Sequence, residues 1–542
     1  MASSCRERCL VSLMRGISCL LLALLSLPAL VSRVLETVVG RAPAGSGSRS
    51  VQPPTEPLLL LSGVQVARRI RQRKVKCIDV VQAYVNRIQE VNPVINAVVK
   101  DRYKEALQEA RQVDELLLRG EENEESLQEK LPFLGVPITV KEAFTVYGMP
   151  NSSGLVARQN MISTADAIVV ARLKQSGAIP LGVTNCSELC MWYESSNNVY
   201  GRTNNPYDVQ RIVGGSSGGE GCILAAAGSV MGVGSDIGGS IRMPAFFNGI
   251  FGHKPTSGVV PNEGQFPNAT GAQEALLCTG PMCRYAEDLE PMLRVMAGSG
   301  ISKLKLDKEV PLVDIKFYSM EHDGGSAFVS PVDQELLQAQ KKVVEHLESQ
   351  LGVSVQHVKI RKMKYSFQIW TALMLSGGVD GQEAQSFANL LGDHGKAVWP
   401  AWELVKWMMG LSSHTLPAVV LAFLEKVTKL NSTGNSKLEC MARNLRTEMV
   451  NLLGEDGVLL YPSHPKVAPK HHLPLGMPFN FAYTGIFNAL GLPVTQCPLG
   501  LSSEGLPLGI QLVASHFNDH LTLTVAKYLE KAFGGWTLPG KS

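Results

Sequence analysis

The most restrictive feature of the chain is a pair of glycine-rich serine turns near its middle. Residues 214–219 read Gly-Gly-Ser-Ser-Gly-Gly, and residues 236–244 read Asp-Ile-Gly-Gly-Ser-Ile-Arg-Met-Pro. The sequence between them predicts an Ala/Gly-rich helix that ends at Gly228 and an apolar strand that ends at Ser235. One helix and one strand can bring both turns to the same end of a sheet, and glycines let backbone N–H groups approach a ligand closely. The two turns therefore predict a shared functional site.

Short apolar segments alternate with helical patterns along the rest of the chain. Strands are predicted at residues 136–140, 178–183, 230–234, 492–497 and 508–513. One helix, with apolar residues at spacings of three and four, is predicted to end at Asn92-Pro93. Another is predicted to begin at Ser330 and to end at Gly352. This alternation predicts an α/β domain built around a largely buried sheet.

Charge and cysteine content exclude several classes of protein. The 51 lysines and arginines and the 48 acidic residues are spread along the chain. They form no basic stripe of the kind that binds a phosphate backbone, so we expect no nucleic-acid partner. The 11 cysteines include no Cys-x-x-Cys pair. This pattern argues against a metal site and against a disulfide framework.

The N-terminal region differs in composition from the body of the chain. Residues 16–32 carry no charge and, at about 1.5 Å each, are long enough to reach across a thin hydrocarbon layer. We interpret residues 1–55 as a hydrophobic anchor with a flexible tether and residues 56–542 as a single large domain. A cleaved signal peptide is the alternative, because Pro28 interrupts the apolar run. A retained anchor predicts a single-pass membrane protein of the endoplasmic reticulum or of lipid droplets.

Two chemical interpretations of the first turn rest on short motifs. A phosphate-binding loop is disfavoured, because Gly-x-x-x-x-Gly-Lys-Ser/Thr is absent from the sequence. The sequence also matches the motif of a nucleophile elbow, because Gly215-x-Ser217-x-Gly219 fits Gly-x-Ser-x-Gly and His464 follows downstream. That pattern would indicate an esterase of the α/β-hydrolase type with Ser217 as its nucleophile.

A longer pattern favours another chemistry. Residues 214–245 resemble the long signature of the amidase signature family, whose members cleave amide bonds with a Ser-Ser-Lys triad. The resemblance extends over about residues 60–535 and implies an α/β fold with a mixed central sheet covered by helices on both faces. By position in the family pattern, Ser240 resembles the nucleophile, Ser216 the bridging serine beside a cis peptide, and Lys141 the base.

The residues around this triad have expected roles of their own. The oxyanion formed during catalysis is expected to be held by four backbone N–H groups, those of Ile237, Gly238, Gly239 and Ser240. Three side chains are expected to orient the reacting groups by hydrogen bonds: Ser217, Asp236 and Arg242. A lysine acts as a base in its neutral form, which removal from water favours. The resemblance implies neither a metal nor an organic cofactor.

The family leaves the substrate open, and two features of this chain favour a lipid amide. One is the apolar N-terminal segment; the other is a Trp-, Met- and Leu-rich stretch at residues 399–430, predicted to form a helical cap that faces a membrane. Over its full length the chain resembles the lipid amidases of the family, which implies primary fatty-acid amides and N-acylethanolamines as substrates. A non-lipid amide, a membrane-tethered lipid-binding protein without turnover, and a homodimer all remain open.

Overall fold

The computed structural model of the chain describes residues 50–377, 385–392, 396–429 and 435–540. The predicted membrane anchor at residues 16–32 lies outside these residues, as does most of the tether. Within the described part of the chain, no helix is both long enough and apolar enough to cross a bilayer. The end of the tether packs on the domain, because Val51 is buried and its N–H donates to the Pro206 carbonyl at 3.0 Å.

The strands of the described chain are short, and most are buried. They are β1 (Val98–Asp101), β2 (Pro137–Lys141), β3 (Ile179–Thr184), β4 (Ser196–Asn197), β5 (Gly201–Arg202), β6 (Met231–Asp236), β7 (Phe251–Lys254), β8 (Cys278–Cys283), β9 (Lys316–Ser319), β10 (Val355–His357), β11 (Gly457–Tyr461), β12 (Val494–Leu501) and β13 (Pro507–Ala514). All but β4 and β5 form a single sheet of 11 strands in the order β1-β3-β2-β6-β8-β7-β12-β13-β11-β9-β10.

The sheet contains both parallel and antiparallel pairs. Strand β2 runs parallel to both of its neighbours, β3 and β6, whereas β6 is antiparallel to β8. At the other end of the sheet, β9 is parallel to β10 and β11, and β11 is antiparallel to β13. The mixed central sheet predicted for the α/β fold is therefore confirmed.

Helices connect and cover these strands. They are α1 (Gly63–Arg71), α2 (Cys77–Ile95), α3 (Tyr103–Arg119), α4 (Glu124–Lys130), α5 (Ile168–Gln175), α6 (Gly218–Ala225), α7 (Arg242–Phe247), α8 (Gln273–Leu276), α9 (Leu289–Ala297), α10 (Gln334–Leu351), α11 (Ser366–Leu375), α12 (Phe387–Leu391), α13 (Pro400–Met408), α14 (Leu416–Lys429), α15 (Asn435–Leu453), α16 (Ala482–Leu490) and α17 (Asp519–Phe533). The main apolar core joins α1, α2, α5 and α9 to strands that include β2, β3 and β6. A second cluster packs α11, α15 and α16 against β11 and its neighbours.

Three predicted helix boundaries are wrong by about one turn. Helix α6 ends at Ala225 rather than at Gly228. Helix α2 continues through Pro93 and ends at Ile95, and Asn96, which follows it, has a left-handed φ of 49°. Burial of Ile95 favours this last turn, although Pro93 has no N–H to donate. Helix α10 begins at Gln334 rather than at Ser330, because the Asp333 N–H, which a Ser330 cap would accept, donates to the Pro465 carbonyl at 2.9 Å.

A buried carboxyl group fastens helix α6 to the sheet beneath the glycine-rich turns. Glu220 lies in the first turn of α6 and is fully buried. Its carboxyl oxygens form hydrogen bonds with the hydroxyl of Thr139 on β2 at 2.7 Å and the hydroxyl of Thr184 on β3 at 2.8 Å. Burial raises the pKa of Glu220 to about 8, although these two hydrogen bonds act in the opposite direction. Near neutral pH this carboxyl is therefore mostly protonated.

This raised pKa predicts a specific pH dependence of stability. An unfolded glutamate titrates near about 4.3, so the folded state binds more protons between about pH 4.3 and pH 8. The contribution of Glu220 to the free energy of unfolding is therefore most favourable below that window. It falls as the pH rises through the window, by up to about 1.4 kcal/mol per pH unit. Glu220→Gln cannot lose a proton, so its melting temperature should fall less than that of the wild type between pH 5 and pH 8. The control is Glu129→Gln, at an exposed position. If the difference in melting temperature between Glu220→Gln and the wild type does not change with pH, the raised pKa of Glu220 is contradicted.

Candidate active site

The three residues of the predicted triad lie at the carboxyl edge of neighbouring strands. Lys141 is the last residue of β2, and the turn that carries Ser240 follows β6, its parallel neighbour. In α/β sheets, ligands bind at this edge. The Lys141 amine is fully buried and donates to the Ser216 hydroxyl at 2.6 Å and to the Ser235 hydroxyl at 2.9 Å. The structure thus joins the predicted base to the predicted bridging serine.

Ser240 lies in the adjoining turn. The peptide bond between Gly215 and Ser216 is cis, and the Ser217 N–H donates to the Ser240 carbonyl at 3.2 Å, which holds the two turns together. The Ser240 hydroxyl donates to no group in the described chain, and Ser240 is 7% exposed, compared with 1% for Ser216. The predicted nucleophile is therefore the triad residue most open to a ligand, and its hydrogen bond to Ser216 is not formed in this structure.

The backbone of the second turn presents free N–H groups. Of the four predicted oxyanion donors, the Gly239 N–H donates to the Asp236 carboxylate at 2.7 Å. The N–H groups of Ile237, Gly238 and Ser240 have no hydrogen-bond acceptor among the residues described. Three of the four amides are thus free to receive a negatively charged oxygen, and the fourth shapes the turn.

A buried ion pair between Asp236 and Arg242 holds the second glycine-rich turn in place. Both side chains are fully buried, and the Arg242 Nε donates to the Asp236 carboxylate at 3.0 Å. Burial alone would raise the pKa of Asp236, but Arg242 outweighs it and lowers that pKa to about 2. The carboxylate also accepts the Ile241 N–H at 3.2 Å. Asp236 and Arg242 therefore support the turn by hydrogen bonds.

Ser217 and His464, which the esterase interpretation requires, are not brought together. The Ser217 hydroxyl is fully buried, donates to the Ser235 carbonyl at 3.2 Å and accepts the Ser235 N–H at 3.3 Å. His464 instead contacts the Lys466 backbone through Nδ1, and burial lowers the pKa of His464 to about 4. Its Nε2 has no partner in the described chain. In this structure the Ser217 hydroxyl is bound to the sheet rather than to a base.

Two neighbours of the site were not predicted from the sequence. The side chain of Cys190 lies beside Lys141 and Ser216, and a hydrogen bond with Cys186, together with Lys141, lowers the pKa of Cys190 despite burial. The indole N–H of Trp370 donates to the Ile237 carbonyl at 2.8 Å. Cys190 follows strand β3, a position that could have been suspected, whereas no sequence signal links Trp370 to a turn 133 residues away.

Among the residues that the structure describes, no cluster of His, Cys, Asp and Glu side chains could hold a metal ion. The groups that meet at the site are a buried amine, hydroxyls and backbone amides. This set can move a proton from a serine hydroxyl to the amine and can stabilise an oxyanion.

Comparison with known proteins assigns the chain to a family of enzymes. The family model described as Amidase matches residues 79–523. The chain therefore belongs to the amidase family, whose members are enzymes, and the family resemblance found in the sequence is confirmed.

Individual relatives share most of their length with this chain. Fatty-acid amide hydrolase 2 from Homo sapiens is 67% identical over 509 residues, which cover 93% of this chain and 96% of that protein. Fatty-acid amide hydrolase 2-A from Danio rerio is 61% identical over 496 residues, covering 92% and 93% of the two chains. A solved structure of fatty acid amide hydrolase has a TM-score of 0.69 at 21% identity, with 89% of this chain and 87% of that chain covered, which shows a shared fold.

Proposed function

We propose that the protein hydrolyses fatty-acid amides with Lys141, Ser216 and Ser240 as its catalytic triad. The observation that carries this proposal is the 2.6 Å contact between the buried Lys141 amine and the Ser216 hydroxyl, next to the free Ser240 hydroxyl. The names of the two relatives reported above, from Homo sapiens and Danio rerio, support the substrate class, since each is more than 60% identical to this chain. The proposed substrates are primary fatty-acid amides and N-acylethanolamines.

The proposed mechanism has two stages. In the first, the Ser240 oxygen attacks the amide carbon while its proton passes to Ser216, and the Ser216 proton passes to the neutral Lys141 amine. The free amides of the second turn hold the oxyanion. Return of the proton to the leaving nitrogen releases ammonia or an amine and leaves an acyl ester on Ser240. In the second stage, water attacks this ester and releases the fatty acid. The relay requires the Ser240 hydroxyl to approach Ser216 when substrate binds, as catalytic hydrogen bonds often do.

Replacement of single serines tests this proposal. Ser240→Ala should abolish labelling by a fluorophosphonate and should lower hydrolysis of a long-chain primary amide by at least about 10³-fold, because the nucleophile is lost. Ser217→Ala is the matched control and should retain labelling, because within the described chain that hydroxyl bonds only to Ser235.

Other outcomes would support the alternatives. Labelling that survives Ser240→Ala but not Ser217→Ala would favour the esterase. Turnover of short-chain amides alone would indicate a non-lipid substrate. Absence of turnover on every amide in a panel would indicate a lipid-binding protein.

The helices of residues 399–430 support a membrane-facing role. Helix α13 and the segment around it expose large apolar side chains: Trp399 at 66%, Trp402 at 51%, Met408 at 66%, Met409 at 52% and Leu411 at 68%. A concentration of exposed apolar side chains in one segment is typical of a surface that contacts a membrane or another protein. We call residues 399–429 the cap and propose that it lies on a lipid surface. In the same proposal, residues 16–32 anchor the protein in the membrane of the endoplasmic reticulum or of lipid droplets.

The cap is connected to the active site through one buried carboxylate. Glu188 accepts hydrogen bonds from the His414 ring at 2.7 Å and from the Thr415 N–H at 2.8 Å, both between α13 and α14. Glu188 and Cys190 belong to the same short segment after β3, and Cys190 lies beside Lys141. Leu189 of this segment also packs against α12 and α14. The cap therefore contacts the segment whose Cys190 lies beside Lys141.

Charges placed on the cap should separate lipid access from chemistry. In Trp402→Glu/Met408→Glu, hydrolysis of a long-chain amide embedded in vesicles should fall by roughly ten-fold, because charged side chains disfavour contact with the hydrocarbon region. Hydrolysis of a water-soluble short-chain amide should stay unchanged. Leu118→Glu, at an exposed apolar position on α3, is the control. Equal rates on vesicles for the cap variant and the control would contradict the proposed membrane contact.

A further inference from the structure

One side chain from outside the two glycine-rich turns contacts the second turn, which carries the predicted oxyanion donors. Trp370 lies on α11, and its indole N–H donates to the Ile237 carbonyl at 2.8 Å. Its ring lies against two glycines: a Cβ atom at Gly238 would come within 3.3 Å of the ring, and one at Gly485 within 3.2 Å. Phe481 packs against the ring with centroids 4.8 Å apart at an interplanar angle of 77°. The ring therefore occupies a fitted slot beside the second turn.

The hydrogen bond acts on the peptide unit that carries a predicted oxyanion donor. The Ile237 carbonyl and the Gly238 N–H belong to the same planar peptide, and in a trans peptide they point in opposite directions. A donor that holds the carbonyl therefore also fixes the direction of the N–H. It polarises the peptide as well, which makes the Gly238 N–H a stronger donor. Gly238 has no side chain that could limit rotation of this unit, so the Trp370 contact matters here.

Other carbonyl groups of the second turn also accept hydrogen bonds, and their donors are more deeply buried than Trp370. Asn488 Nδ2 donates to the Asp236 carbonyl at 2.9 Å, and the Thr484 hydroxyl donates to the Gly238 carbonyl at 2.7 Å. The Met243 N–H donates to the Gly239 carbonyl at 2.8 Å. Asn488 and Thr484 are buried on α16, whereas Trp370 is partly exposed on α11. Trp370 is thus the support of the turn that can be altered without opening the buried core.

We infer that Trp370 is a positioning residue that directs the Gly238 N–H at the oxyanion formed on Ser240. This inference rests on the proposed amide hydrolysis, because it assigns a role to Trp370 within that reaction. Trp370 itself need not touch the reacting atoms; it acts through the peptide unit of Ile237 and Gly238. Its effect should therefore appear in the transition state and not in the binding of the uncharged substrate.

A pair of inhibitors separates these two effects in the full-length protein. Ser240 can add to a long-chain trifluoromethyl ketone: its oxygen bonds to the ketone carbon, the ketone oxygen becomes the anion, and the hydroxyl proton passes through Ser216 to Lys141. The matching secondary alcohol has the same chain but accepts no attack. Trp370→Phe keeps an aromatic ring and removes the N–H. It should lower kcat about 5- to 10-fold and ketone affinity by a similar factor, with KM and alcohol affinity nearly unchanged.

Two further variants control this comparison. Trp536→Phe removes another indole N–H that donates to a backbone carbonyl, that of Ala225 at 3.2 Å, and should leave kcat and both affinities unchanged. Trp370→His restores a ring N–H and should recover part of kcat. The melting temperature shows whether Trp370→Phe folds. If it does not fold, Trp370→His is compared with the wild type in its place, and its ketone affinity should fall more than its alcohol affinity.

The result that overturns the inference differs from the one that overturns the proposed function. If Trp370→Phe keeps wild-type kcat and ketone affinity, or if ketone and alcohol affinities fall equally, Trp370 only shapes the pocket. If the wild type turns over no amide, or if Ser240→Ala retains ketone affinity, the proposed hydrolysis fails, and the inference fails with it.

Discussion

The buried ion pair between Asp236 and Arg242 determines the shape of the turn on which the site depends. Its carboxylate accepts the N–H groups of Gly239 and Ile241, which folds the turn back on the end of β6. Arg242 in turn donates to the Thr484 carbonyl and to the Gln511 side chain, so the same pair links the turn to α16 and β13. Removing one partner of such a pair typically costs about 3–5 kcal/mol, because an unpaired charge stays buried. This pattern uses the N–H groups of Gly239 and Ile241. It leaves the N–H groups of Ile237, Gly238 and Ser240 without an acceptor among the described residues.

The surroundings of Lys141 favour its proposed role as a base. Its amine contacts the hydroxyls of Ser216 and Ser235, and no carboxylate of the described chain forms an ion pair with it. The buried carboxyl of Glu220 lies near Lys141, but its raised pKa keeps it mostly protonated at neutral pH. The thiol of Cys190 also lies beside the amine, and a hydrogen bond with Cys186, together with Lys141, lowers the pKa of that thiol. The fold thus surrounds the amine with groups that can exchange protons with it.

Much of this arrangement could be predicted from the sequence, because small residues at fixed spacing leave few alternatives. The paired turns, the strand that ends near Lys141 and the mixed sheet all follow from local patterns and from the family resemblance. The end of α2 was misplaced, because packing of Ile95 outweighs the preference of Pro93 to end a helix. The contacts of Trp370 with Ile237 and of Glu188 with the cap join residues 133 and more than 200 positions apart. Neither contact has a local signal, since only the folded chain brings these elements together.

The most direct test of the account is the pH dependence of fluorophosphonate labelling at Ser240 in the wild type and in Lys141→Ala. If Lys141 is the base, the variant should react roughly 10²- to 10⁴-fold more slowly near neutral pH. Its remaining rate should rise about ten-fold for each pH unit, because hydroxide then replaces the amine as proton acceptor. The wild-type rate should level off once the base is neutral. A Lys141→Ala variant with the wild-type rate and the wild-type pH profile would contradict the central claim that Ser240 is activated through Ser216 by Lys141.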